Sequence, residues 1–221
     1  MDFLERIIGM ITKPDATTDD IAKAPRMEEG LVIVGIYMIF MIISVYLTYS
    51  HIQFTGSYQG MDASSLSTLL MAGGIIGAIF YSLIGWPITT GAAHILSMFS
   101  GGNGKFYPKM LTLIGYCMIP LIFVSLISII LALFTPTTVV NLSSLSSGLQ
   151  GIASNSTSST LSILSIIVSL AGAVWAAYMM LYAVKNGESL SINKSAVIIL
   201  ILFIAGFVLT YGSIVLGLLS R

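Results

Sequence analysis

Charged residues are scarce in this chain: Asp, Glu, Lys and Arg make up 8% of its 221 residues, against about 25% in an average soluble domain. A chain this poor in charge cannot cover itself with polar surface. With 56% hydrophobic residues and a mean hydropathy of +0.98, its exterior must face lipid. Nine basic and nine acidic residues cancel, so no global charge argument favours nucleic acid. The one cysteine, Cys117, lies deep in an apolar stretch, which excludes an intrachain disulfide and argues against a Cys-based metal site. A small apolar packing residue is the plainer reading of it. H-E-x-x-H, G-x-S-x-G and P-loop motifs are missing, as is any Ser/His/Asp set in a motif context.

What remains is dominated by five apolar runs free of charge: Leu31 to Tyr49, Leu69 to Phe99, Pro108 to Phe134 (Lys109 at its edge), Leu161 to Val184, and Ser195 to Leu219. A bilayer core takes about 20 residues of helix, so each run spans by length. The runs are too continuous for the alternating segments of a β-barrel. Intramembrane charges mark ion and proton pathways, and their lack here argues against a charge-coupled pump or voltage sensor. The second run would reach about 46 Å as a straight helix, well beyond a core of about 30 Å. Pro87 inside it removes a backbone donor, so a kink or break is expected there. Gly73 and Gly77 form a G-x-x-x-G pair, open to intramolecular packing or to homodimerisation.

The basic residues divide by connection. Arg6, Lys13, Lys23 and Arg26 precede the first run; Lys105 and Lys109 lie between the second and third; Lys185 and Lys194 lie between the fourth and fifth. The other two connections hold no Lys or Arg, and Arg221 at the end is the single exception. The positive-inside rule then predicts a cytoplasmic N-terminus and an external C-terminus, in agreement with an odd number of spans. Residues Met1 to Glu29 lack the continuous apolar segment of a signal peptide, so the first run is expected to act as an uncleaved anchor. The outer connection from Thr135 to Thr160 contains two glycosylation sequons, at Asn141 and Asn155.

Two short helices are expected before the first run. Asp2 to Ile11 places Phe3, Ile7, Met10 and Ile11 on one face, and Thr17 or Thr18 can cap a second helix through Asp19 to Ala24, ended by Pro25. Both helices suit the inner headgroup layer, and both equally suit packing against the cytoplasmic ends of the spans. His94 is the one ionisable group of the usual catalytic kind within a run, with Thr90 one turn before it. It reads as a titratable or ligand-contacting site beside Pro87, or as a structural histidine bonded to a neighbouring helix. With no acid, Cys or second His nearby in sequence, the structural reading leads. The glycines of Gly101-Gly102-Asn103-Gly104-Lys105 lack Walker spacing and suit a tight cytoplasmic turn.

That turn with Phe106, followed by Gly115-Tyr116-Cys117-Met118-Ile119-Pro120, resembles the Yip1 domain family. Pro14 and Pro25 ahead of the first span resemble its short prokaryotic members, archaeal or bacterial. The resemblance covers roughly the whole chain. It implies an all-α polytopic integral membrane protein with five transmembrane helices and a cytoplasmic N-terminus. Residues 1–30 would form a cytoplasmic amphipathic segment and residues 31–221 a five-helix transmembrane domain. Gly102, Gly115, Tyr116 and Pro120 carry over as structural signature residues. Eukaryotic relatives bind Rab-type GTPases and related five-span proteins, and act in vesicle formation and organelle shape. This chain lacks their long acidic N-terminal region and their Asp-Leu-Tyr-Gly motif, so the resemblance does not extend to GTPase binding.

Pro120 frees a carbonyl near Tyr116 and bends its span, as Pro87 bends the one before. Irregular backbone at membrane depth survives only when buried in protein or lining a cavity. A pocket near Pro87, His94, Tyr116 and Pro120 is therefore expected. The leading expectation for function is a non-enzymatic, cofactor-free organiser of a cell membrane, with the bilayer, other membrane proteins or a second copy as partners and nucleic acid excluded. A transporter or channel for a small or lipid-like solute is the alternative, weakened by an odd span count and scarce polar lining. Missing acids and metal ligands argue against an intramembrane enzyme.

Overall fold

The computed structural model describes residues 1–58, 60–142 and 160–219. Each of the five apolar runs is mostly helical. Four stretches are long and apolar enough to cross a bilayer: Met27–Ser50, Ala63–Phe99, Phe106–Leu133 and Ile163–Glu188. A shorter apolar stretch, Ile192–Gly206, begins the last helix. This is an all-α polytopic membrane protein. In chain order the helices are α1 (Phe3–Thr12), α2 (Pro14–Lys23), α3 (Met27–Ser50), α4 (Ala63–Phe80), α5 (Trp86–Phe99), α6 (Leu111–Tyr116), α7 (Ile119–Leu133), α8 (Thr160–Glu188) and α9 (Ile192–Leu219). The chain forms two compact units. Unit one holds residues 1–34, 84–119 and 174–221; unit two holds residues 35–83 and 120–173.

Both proline-bearing spans are interrupted. Between α4 and α5 lies a five-residue π-helical segment, Tyr81–Gly85, immediately ahead of Pro87 in the first turn of α5. A proline cannot donate to the carbonyl four residues back, and a widened turn absorbs that loss. Between α6 and α7 the helix breaks at Cys117 and Met118, and Pro120 enters as the second residue of α7, where its missing N–H is harmless.

In unit one, α1 opens on a capping box: the Asp2 side chain accepts from the Glu5 amide at 2.8 Å, and the Glu5 side chain accepts from the Asp2 amide at 2.8 Å. The second helix differs from the sequence expectation. It begins at Pro14, and Thr17 and Thr18 are buried within it rather than capping it. Their hydroxyls donate back to the Lys13 and Pro14 carbonyls at 2.9 and 2.7 Å, and Pro14 supplies a preset helical φ at the first position. Met10, Ile21, Met110, Leu113, Ile114, Met179, Ala183 and Val184 are fully buried, so α1 and α2 pack into the core of this unit.

Unit two contains two small pieces of sheet that the apolar pattern did not suggest. Strand β1 (Ile52–Thr55) pairs in parallel with β4 (Thr138–Asn141), with Ile52 opposite Thr138 and Phe54 opposite Val140. Strands β2 (Ser57–Tyr58) and β3 (Met61–Asp62) pair antiparallel. The two connections predicted to lie outside are thereby hydrogen-bonded to each other. Asp62 then caps α4, accepting from the Ser65 amide at 2.8 Å. Gly74 lets α4 approach α3, since a Cβ there would meet Val45 and Tyr49 side chains at 2.9 Å; Gly73 and Gly77 meet nothing within 4 Å. Asn141 is exposed at the end of β4, and Asn155 lies outside the described residues.

Candidate functional site

Two buried polar clusters organise unit one, both built from acids just beyond the apolar runs. The first centres on Glu29. Helix α3 starts at Met27, four residues before its apolar run, which puts Glu29 in its first turn and 7% exposed. Arg6 of α1, 1% exposed, donates from Nη1 to Glu29 Oε2 at 2.8 Å, from Nε to Asp20 at 2.9 Å and from Nη2 to the Ala24 carbonyl at 3.0 Å. One guanidinium thus ties α1, α2 and α3, using the planar fork that lysine lacks. Burial disfavours the Arg6 charge, but the bonds to Glu29 and Asp20 outweigh it and hold the group above its ordinary value. Tyr116, fully buried at the end of α6, donates its hydroxyl to Glu29 Oε2 at 2.6 Å, and its ring meets Phe3 edge-on at 6.3 Å. Arg26 reaches Glu29 Oε1 at 3.0 Å.

The second cluster centres on Glu188, fully buried at the end of α8. His94 Nδ1 lies 2.5 Å from Glu188 Oε1, and the Gly104 amide donates to Oε2 at 2.8 Å. The Asn103 amide donates to the Glu188 carbonyl at 3.2 Å, and Lys194 Nζ donates to the Ser100 carbonyl at 2.7 Å. The glycine turn between α5 and α6 is therefore clamped by the connection between α8 and α9. At Gly104 a Cβ would stand 2.3 Å from the Gly187 carbonyl and 2.7 Å from Glu188, so no side chain fits. His94 does have a partner acid, one that sequence distance concealed.

The candidate residues fall into place as follows. Gly102 abuts the Ser97 carbonyl, 2.9 Å from where a Cβ would stand, and donates its amide to that oxygen at 2.8 Å. Gly115 lies against Gly30 of α3, where a Cβ would stand 3.0 Å from the Gly30 Cα, so α6 and α3 cross in near backbone contact. Tyr116 and His94 enter separate clusters, one on Glu29 and the other on Glu188. Pro87 is half-buried in the first turn of α5, beside Trp86, whose indole donates to the Leu111 carbonyl at 3.1 Å. Pro120 is buried in unit two. None of these six lines the groove of about 550 Å³ that opens between α2 and the end of α8, bordered by Lys13, Asp15, Asp19, Tyr178 and Tyr182. At its edge Lys185 bonds Asp15 at 2.7 Å, and Asn186 bonds Thr18 at 2.7 Å. Among the described residues, no group of three His, Cys, Asp or Glu side chains is placed to hold a metal, and every buried side-chain nitrogen and oxygen has a partner.

Sequence reasoning missed Arg6, Glu29, Gly104 and Glu188. The available signal was an acid within a few residues of an apolar run, on a helix that must extend past the hydrocarbon, where burial demands a partner.

A family profile described as Yip1 domain matches residues 8–214. An uncharacterized protein of Methanocaldococcus jannaschii is 32% identical over 132 residues, covering 58% of this chain and 89% of that relative. No solved structure matches the chain.

Proposed function

We propose that this chain, which belongs to the Yip1 domain family, is a non-enzymatic organiser of a cell membrane that acts through bilayer contact and through partners in the membrane. The observation that carries this reading is where its polar chemistry goes. Arg6, Glu29, Tyr116, His94 and Glu188 join chain elements to one another, in clusters closed by hydrogen bonds. A catalytic group needs reach to a reacting atom, and these groups are directed at each other. Other membrane proteins or a second copy are the partners in this reading; nucleic acid, GTPases and cofactors have no part in it.

The orientation belongs to the same proposal: N-terminus in the cytoplasm. Two structural facts support the alternation of spans. The N-terminal segment, the glycine turn and the 185–194 connection bond to one another in unit one, and the two remaining connections pair through β1 and β4 in unit two. The positive-inside bias then assigns the sides.

Purification from native membranes alongside reconstitution in liposomes tests the proposal. It expects a co-purifying membrane protein or changed vesicle size, without solute flux. Solute flux abolished by His94→Ala or Tyr116→Phe would overturn it. The transport alternative is kept by one observation, the interruption of two spans at Tyr81–Gly85 and at Cys117–Met118, because discontinuous helices at membrane depth build solute sites in transporters.

A further inference from the structure

Helix α1 carries one wide apolar arc, and only part of it is covered: Ile11, expected on the face of Phe3, Ile7 and Met10, turns outward at the edge of the arc. Met10 is fully buried and Phe3 rests against Tyr116. On the other side Leu4 is 67% exposed, Ile8 61% and Ile11 38%, a spacing of four and three residues that aligns them in one stripe, with Met1 beside it at 48%. The neighbouring α2 does the opposite: its exposed positions include Asp15, Asp19 and Lys23. The two helices belong to one unit, and water suits only the second of them.

Arg6 fixes the depth of α1. It bonds Glu29, and the apolar run of α3 opens two residues later at Leu31, about 3 Å further along the axis. Leu31 and Val32 are 48% and 49% exposed, the first residues of the surface that α3 offers to lipid. The stripe is thus held at the level where the first span enters hydrocarbon, and it continues that lipid-facing surface sideways. Polar groups at both ends, Asp2 and Glu5 at one and Thr12 and Lys13 at the other, suit a helix lying along the interface.

We propose that α1 lies in the boundary between headgroups and acyl chains of the leaflet at its end of the spans, with Leu4, Ile8 and Ile11 immersed in lipid. The only premise is that the spans cross a bilayer; a scaffolding or a solute-conducting role would leave the inference unchanged. A second copy of the chain is the competing cover for the stripe.

Nitroxide labels at Leu4→Cys, Ile8→Cys and Ile11→Cys, with Asp19→Cys as reference, test this in phosphatidylcholine vesicles. The native Cys117 is 2% exposed and stays silent to the label. Circular dichroism of each labelled protein checks that its helices are retained. The expected result is oxygen collision exceeding nickel-chelate collision at 4, 8 and 11, with the order reversed at 19 and the ratios severalfold apart. Nickel chelate reaching 4, 8 and 11 as freely as 19 would place the stripe in water and overturn the proposal. Labels immobilised and shielded from both reagents would show a protein cover and overturn it equally; loss of that shielding on dilution into excess lipid would identify the cover as a second copy.

Discussion

In unit one, Arg6, Glu29 and Glu188 are buried in ion pairs and hydrogen bonds, with His94 half-buried against Glu188; in unit two, Asp62 is the one Asp, Glu, Lys or Arg. There the helices meet by shape, with Gly74 against Val45 and Tyr49 and Gly172 against Val124. The difference teaches where polar specificity is tolerated in a membrane protein. Charges are buried just beyond the apolar runs, where Glu29 is held by Arg6, Arg26 and Tyr116, and Glu188 by His94 and the Gly104 amide. Within the apolar runs of unit two, close packing of small residues replaces them. A buried ion pair is weak evidence of net stability, but breaking one side of it is strongly destabilising. The two units should therefore respond differently to mutation.

The largest expected effect is at Glu29→Ala, which strips Arg6, Arg26 and Tyr116 of a shared acceptor. Losing the buried one of its two carboxylates leaves the Arg6 charge to the part-exposed Asp20 alone, and should cost about 3 kcal/mol in unfolding measured in micelles. Ser125→Ala in unit two removes a buried hydroxyl that bonds back to the Leu121 carbonyl of its own helix at 2.9 Å, and should stay within about 1 kcal/mol of the parent. Comparable losses at both sites would break the comparison.

Next comes packing by shape. Gly74→Val should cost about 1–3 kcal/mol by overpacking against Val45 and Tyr49, whereas Gly77→Val, with open space around it, should change stability little. Equal effects would show that unit two is not held by that approach.

Smaller still is a gain. Ser189 holds a left-handed φ of 56° just past α8, where the Leu190 amide closes the helix end on the Lys185 carbonyl at 3.0 Å. Ser189→Gly should stabilise the chain by about 1 kcal/mol, read as a raised unfolding temperature. A fall instead would mean that the serine side chain contributes to the clamp beside it.

The smallest effect is the exposed Asp15–Lys185 pair. Hydrogen bonds from Lys185 and then Asn186 hold the Asp15 carboxyl below its ordinary range. A depressed carboxylate contributes stability that is fully present above the unfolded value near pH 4 and is lost as pH falls through the lower folded value. Because the pair is exposed and screened, its worth is about 0.2–1 kcal/mol. Asp15→Asn should cost that much at pH 7, and the difference should vanish in strong acid and shrink in high salt. A cost independent of pH would assign the effect to the Asn186 contacts instead.

The spans were legible in the sequence because lipid imposes a long, uninterrupted apolar run, and Pro87 and Pro120 announced the two interruptions by chemistry alone. The family was legible in the glycine turn and in Gly115-Tyr116 with Pro120. The partners of those residues were not. Glu188 lies 94 residues from His94, and Glu29 lies 87 from Tyr116, so no local pattern links them. Both acids also fall just outside the apolar runs, where a count of runs passes over them. The start of α2 was misplaced because Thr17 and Thr18 resemble caps, while Pro14 is the stronger start signal. The β1–β4 pairing joins segments 86 positions apart in register, beyond any hairpin signal.

The central proposal, read from the alternating Lys and Arg residues, is that the N-terminal segment, the glycine turn and the 185–194 connection gather on one face of the membrane, and the two connections without Lys or Arg on the other. Single cysteines at Asp19, Asn103 and Ser191 for the first face, and at Ser57 and Thr137 for the second, can be labelled with a membrane-impermeant maleimide in intact cells. The account predicts that Ser57→Cys and Thr137→Cys react at once, while the first three react only after permeabilisation. Reaction of any one of those three in intact cells, alongside its opposite set, would contradict it.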